Sequence, residues 1–171
     1  MNYELKIKNK KKKAGFMAIE ILLATSIITM IVLAGTAVAQ KSIIVSRQAV
    51  HSLQATYLLE EGAEALKIIR DNDWNNFSYL SALCDNPATV YLEFLEGTWN
   101  LTSTSEPNIG IFNRVIIYNI AGRDDITGDL VQNCGPFNDG GSYFFNVSVR
   151  WMEGGKIINK ELSFYLMDIW N

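Results

Sequence analysis

The chain is poor in histidine, cysteine and proline, and each shortage closes off a class of function. Its 171 residues include one histidine, His51, and two cysteines, Cys84 and Cys134, with no C-x-x-C spacing. Zinc sites are built from clusters of such residues, so a metal centre is not expected. Neither a Ser/His/Asp nor a Cys/His catalytic set can be assembled around a single histidine in a helical stretch, so the chain is not expected to be an enzyme or to carry a cofactor. No proline occurs before Pro87, and nothing interrupts a helix up to about Asp73. Charge is scarce as well. From Phe16 to Ala39 the only charged side chain is Glu20. About 20 apolar residues cross the hydrocarbon core of a bilayer as a helix, and this run is long enough.

The charge that is present is unevenly spread. Residues 1–15 hold six lysines and one glutamate, whereas the rest of the chain is acidic. A basic head before an apolar run is a cytoplasmic flank by the positive-inside rule. The acidic remainder argues against direct nucleic-acid binding, which rests on basic groups meeting phosphates. A removable secretory signal is the competing reading, with Ala37-Val38-Ala39 before Gln40 as an A-x-A site; the product would be a secreted or membrane-anchored adhesive module. Two features weigh against it. Signal cores run to roughly 7–15 apolar residues, and the helical pattern here continues past Gln40. Glu20 is the second: an acid within a spanning helix costs about 2.5–3.5 kcal/mol, so its presence points to a function.

Beyond Gln40 the helical period persists to about Asp73, with Val50, Leu53, Tyr57, Leu58, Ala65, Ile68 and Ile69 on one expected face. A single helix from Phe16 to Asp73 would be roughly 85 Å long. "DNDWNN" supplies its polar end, and Gly62 interrupts the pattern without an evident reason. Glu60, Glu61 and Glu64 are expected to form a solvated face. The period then falls to two. "YFFNVSVRW" alternates Tyr143, Phe145, Val147, Val149 and Trp151 against Asn146, Ser148 and Arg150. "MEGGK" is a hairpin turn, and "IINKELSFYL" is the return strand. "TVYLEFL", "TWNLT" and "FNRVIIYNI" are earlier strand candidates. The expected fold is α+β: a long N-terminal helix, its first half membrane-spanning, packed on a small antiparallel β-sheet.

The junction "KKKAGFMAIEILLATSIITMIVLAG" resembles the N-terminus of type IV pilins and type II secretion pseudopilins. In that family a basic leader ends in Gly, the mature chain begins with Phe, and Glu follows at the fifth mature position; Gly15, Phe16 and Glu20 match. Met17 and Ala18 depart mildly from the usual residues without touching the processing positions. "LLEEGAEALKIIRDNDW" and "VSVRWMEGGKIINKELSFYLMDIW" resemble V-type minor pilins and I-type pseudopilins, whereas 76–141 carries no recognised motif.

The resemblance implies a leader at 1–15, a transmembrane and filament-core half of the helix at 16–39 and a soluble pilin-like domain at 40–171. It implies cleavage between Gly15 and Phe16 by a prepilin peptidase, N-methylation of Phe16, and assembly through Glu20 with other pilin subunits and the inner-membrane machinery. The chain would be a minor structural subunit, anchored in the cytoplasmic membrane with its N-terminus inside and its C-terminal domain outside, and later part of a pilus or pseudopilus.

Three smaller readings complete the sequence. Cys84 and Cys134 are either buried thiols or one disulfide, and a domain outside the cytoplasm favours the bridge. Asp124, Asp125 and Asp129 lie where some pseudopilins bind calcium, but their spacing does not fit an EF-hand loop, and a solvated acidic turn is expected instead. The sequons at Asn76, Asn100 and Asn146 carry no weight in a prokaryotic prepilin.

Overall fold

The computed structural model describes residues 3–78, 87–104, 108–132 and 137–169. Helix α1 spans Tyr3–Asn72 and is followed by a single turn, α2, at Asn75–Ser78. Among the described residues seven strands follow: β1 Ala88–Leu95, β2 Thr98–Thr102, β3 Asn108–Ile109, β4 Phe112–Arg123, β5 Leu130–Val131, β6 Phe137–Glu153 and β7 Lys156–Met167. The chain divides into two compact units, Met1–Ala49 and Val50–Asn171. Cys84 and Cys134 fall outside the described residues.

The second unit is one antiparallel sheet, ordered β2-β1-β4-β6-β7, with β3 and β5 added along β4. The α+β arrangement is as expected, with the C-terminal part of α1 packed on the sheet. Two-residue turns set the register. Gly154 and Gly155, at φ +57° and +77°, join Glu153 to Lys156. Positive φ at both central residues suits the right-handed strand twist, and glycine adopts it without steric cost. From that turn β6 and β7 pair without a slip out to Ser142 and Met167.

Alternation places the core. Tyr143, Phe145, Val147, Val149 and Trp151 of β6 are all buried, as their spacing requires. Their cross-strand partners Ile116 and Tyr118 on β4 are buried with them. One end of the seam is aromatic: Phe77 lies 5.2 Å from Phe145 and 6.0 Å from Tyr143 between ring centroids, and Trp74 lies 5.3 Å from Tyr143. Such pairs contribute about 0.5–1.5 kcal/mol each beyond their buried area. Burial pushes the Tyr118 phenol well above its ordinary range, and the neighbouring Tyr143 raises it further.

The expected helical face needs correction. Ala65 and Ile69 are buried as expected and Leu58 partly so, but Val50, Leu53, Tyr57 and Ile68 are exposed, and Ala55, Leu59, Ala63 and Leu66 are buried in their place. The buried stripe is rich in small residues, and Gly62 lies in it. A Cβ on Gly62 would stand 3.0 Å from Val147 Cγ1 and 3.4 Å from Arg114 Cδ, so the close approach of helix to sheet accounts for this glycine. α1 ends where Asp73 takes the Asn75 N–H on its carboxylate at 2.9 Å, which starts α2.

Candidate functional site

The first unit is helix alone. Each described side chain from Met17 to Ala49 is exposed, and one stretch here is long and apolar enough to cross a membrane. Four hydroxyls interrupt that apolar surface, and each is satisfied within the helix. Thr25 donates to the Leu22 carbonyl at 3.1 Å, Ser26 to Leu23 at 2.8 Å, Thr29 to Thr25 at 2.7 Å and Thr36 to Leu33 at 2.9 Å. In hydrocarbon an unpaired polar group costs several kcal/mol, so this internal pairing suits a bilayer or the interior of a helical bundle. Glu20 differs from them. No partner meets its carboxylate among the side chains described, which begin at Met17. The backbone of Gly15 and Phe16 is helical, and the helix runs through Ala37, Val38, Ala39 and Gln40 without a break.

Among the described residues of the second unit, Arg114, Lys160 and His51 make polar contacts that tie helix to sheet. Arg114, only 3 % exposed, donates from Nη1 to the Leu58 carbonyl at 3.2 Å and to Glu61 Oε1 at 3.1 Å. Its guanidinium lies 5.8 Å from the centre of the Trp99 ring. Lys160 Nζ reaches back from β7 to the Ser52 carbonyl at 3.1 Å and to Thr56 Oγ1 at 3.0 Å. His51 Nδ1 meets Glu153 Oε1 at 3.2 Å, and the Trp151 indole N–H donates to the other carboxylate oxygen at 3.2 Å.

Beside His51 a groove of about 550 Å³ opens between the helix (Gln54, Tyr57, Leu58) and the β3–β4 turn at 109–112. Its walls are largely apolar. His51 pairs with Glu153, and among the described lining residues the polar side chains are His51, Gln54 and Tyr57.

The chain matches no family model, no curated protein and no solved structure.

The remaining sequence candidates fall as follows. The turn of Asp124, Asp125 and Asp129 is closed by its own groups: Asp124 Oδ1 accepts the N–H groups of Ile126 and Thr127, each at 2.9 Å, and Asp124 N–H donates to the Asp129 carbonyl. The Thr127 N–H, followed by that of Ile126, holds the Asp124 carboxyl below its ordinary range. Among the described residues no three His, Cys, Asp or Glu side chains converge as a metal site would need. Of the three helix glutamates, Glu61 serves Arg114, Glu64 pairs with Lys67 at 2.7 Å on the surface, and Glu60 is exposed. Arg114 and Lys160 were not singled out from the sequence. The signal was there: Arg114 is a cation on an otherwise apolar face of β4, and Lys160 lies between Ile158 and Leu162 on the apolar face of β7.

Proposed function

We propose that this chain is a structural subunit, of the minor kind, of a filament of the type IV pilus or type II secretion pseudopilus class. Residues 1–15 are the cytoplasmic leader, a prepilin peptidase cuts between Gly15 and Phe16 and methylates the Phe16 amine, and 16–39 holds the chain in the cytoplasmic membrane. The domain from 40 to 171 lies outside that membrane, and the assembly machinery draws the helix into a bundle with other pilin-like subunits. Gly15 suits the cut because a residue without a Cβ admits close backbone approach.

The observation that carries this reading is Glu20. It is the one charged group in a 24-residue apolar run, it stands at the fifth position after a Lys-rich leader ending in Gly, and it lacks a partner among the described residues while the hydroxyls around it are satisfied. A cleaved Phe16 amine would be mostly cationic near neutral pH, since α-amino groups titrate at about 7.7–8.0. Offered to the terminal amine of a neighbouring copy, the Glu20 carboxylate would neutralise two charges that are costly in an apolar bundle. The contact is heterologous, the kind that builds open filaments.

Mass spectrometry of the mature chain tests the reading. N-methylated Phe16 is expected as the first residue. An N-terminus at Gln40 would replace this reading with a secreted or anchored binding module.

A further inference from the structure

Strand direction gathers three hairpin turns at one end of the sheet. β4 begins there at Phe112; β1, β3 and β6 run against it and finish there. β2 and β7 start there, running back along β1 and β6. The turns are Glu96-Gly97, Gly110-Ile111 and Gly154-Gly155. The sheet-bound part of α1 starts at the same end. His51 meets Glu153 beside the third turn, whereas Trp74 and Phe77 reach Tyr143 at the other end.

The three turns hold large apolar side chains in the open. Phe94, Leu95, Ile111, Met152 and Ile157 are each more than half exposed, and Val50 and Leu53 of α1 are exposed at the same end. Charge here is balanced. Glu96 stands on the first turn and Lys156 on the third, Glu93 and Arg150 three residues behind are again of opposite sign, and Glu153 is held by His51 and the Trp151 indole.

A concentrated apolar surface marks a contact with protein or with membrane. The segment leading into it decides between them. Between Ala39 and Val50 the chain has Lys41, Arg47 and no acid, with Ile43, Ile44 and Val45 in the middle. Three successive helix residues sweep more than half a turn, so no one face could hide these three, and all are exposed. Apolar side chains between two cations with long stems suit the membrane interface. Arg47 is three residues from Val50, less than one helical turn.

We propose that, before assembly, the turn end of the sheet unit docks on the surface of the bilayer that holds residues 16–39, with Ile111, Met152 and Ile157 entering the interface. Such docking needs the membrane anchor of the filament reading but neither Glu20 nor entry into a filament. The anchor makes the contact effectively intramolecular, so a weak intrinsic affinity is enough. The far end of the sheet also exposes Ile126 and Met167, but the chain enters the unit at the turn end. Because charge at the turns is balanced, an uncharged phosphatidylcholine surface suffices.

The test uses the native full chain, isotope-labelled, in phosphatidylcholine nanodiscs at one copy per disc, with and without a lipid carrying a nitroxide near its headgroup. The amide resonances of Gly110, Ile111, Gly154 and Gly155 should broaden, and those of Ile126 and Thr127 should not. Ile111→Asn together with Ile157→Asn should lower the docked-to-free ratio at least about tenfold, since both side chains lose their transfer into an apolar medium. The broadening should then be relieved while the remaining sheet resonances keep their positions. Turn amides no more broadened than Ile126, or broadening that survives the double substitution, overturns the proposal. So does protection of the turns that appears only when two copies share a disc, which would make a second copy the occupant. Failure of the anchor itself registers differently, as a chain that elutes free of the discs, and overturns both readings.

Discussion

Replacing Gly62 by alanine sets two well-known effects against each other. In a helix interior the change ordinarily stabilises by about 1 kcal/mol, because glycine loses more backbone entropy on folding. Here the new methyl would stand 3.0 Å from Val147 Cγ1, on a fully buried residue of the interior strand β6, and 3.4 Å from Arg114 Cδ. Overpacking of this kind costs about 1–3 kcal/mol, since a sheet residue held on both sides has little room to yield. The net expectation is a loss of up to about 2 kcal/mol. Val147→Ala removes the atom in the way. In that background Gly62→Ala should stabilise by about 1 kcal/mol, reversing its sign. Urea unfolding of the full chain in mild detergent, followed by the tryptophan fluorescence of the sheet unit, gives all four corners of the cycle. A gain of the full helical increment in the wild-type background would refute the close-approach account.

Arg114 and Glu61 should not respond alike. Glu61→Ala leaves a guanidinium that is only 3 % exposed with the Leu58 carbonyl as its acceptor among the described residues, and should cost up to about 3 kcal/mol. Arg114→Met, which removes the buried charge but keeps its volume, should cost less; equal losses would contradict that reading. Asp124 gives a pH prediction with a definite sign. Its carboxyl is held below the unfolded value, so its contribution to the loop is complete above that value and lost as pH falls through the folded one. The amide resonances of Ile126 and Thr127 should titrate together below the ordinary carboxylate range, and a midpoint at or above that range would remove the turn geometry. For the cysteines, non-reducing digestion should recover a peptide linking Cys84 to Cys134, and full alkylation of both without reduction would exclude the bridge.

Much of this fold can be read from residue patterns, and the parts that cannot share a cause. The alternation of β6 and β7, the Gly154-Gly155 turn and the polar end of α1 are local signals, and each marks a real element. β3 and β5 have two residues each, too few to show a period. β6 begins at Phe137 rather than Tyr143, because pairing with the far end of β4 beyond the irregularity at 120–122 carries the strand through Gly140 and Gly141. The helical period identifies Ala65 and Ile69 on the buried face, but hydropathy favours large apolar residues and so misplaces the rest of the stripe. Close approach to a sheet instead selects Ala55, Gly62 and Ala63, while Leu53 and Tyr57 stay exposed. The ties made by Arg114, Lys160 and His51 join residues some 50 to 108 apart in sequence, which no periodicity reports. At the N-terminus the opposite holds. Gly15, Phe16 and Glu20 are a linear motif whose meaning depends on spacing along one helix.

The role of Glu20 is where the account is most exposed. Glu20→Ala should insert in the membrane slightly better than the native chain, because an acid has left the apolar run, and should still be cut after Gly15. The measurement is quantitative mass spectrometry of purified filaments from cells producing the native chain or the Glu20→Ala variant at matched levels. The account predicts a mature chain starting at Phe16 in the native filaments and its loss from the variant filaments. Normal incorporation of Glu20→Ala, or absence of the native chain from the filaments, would contradict it.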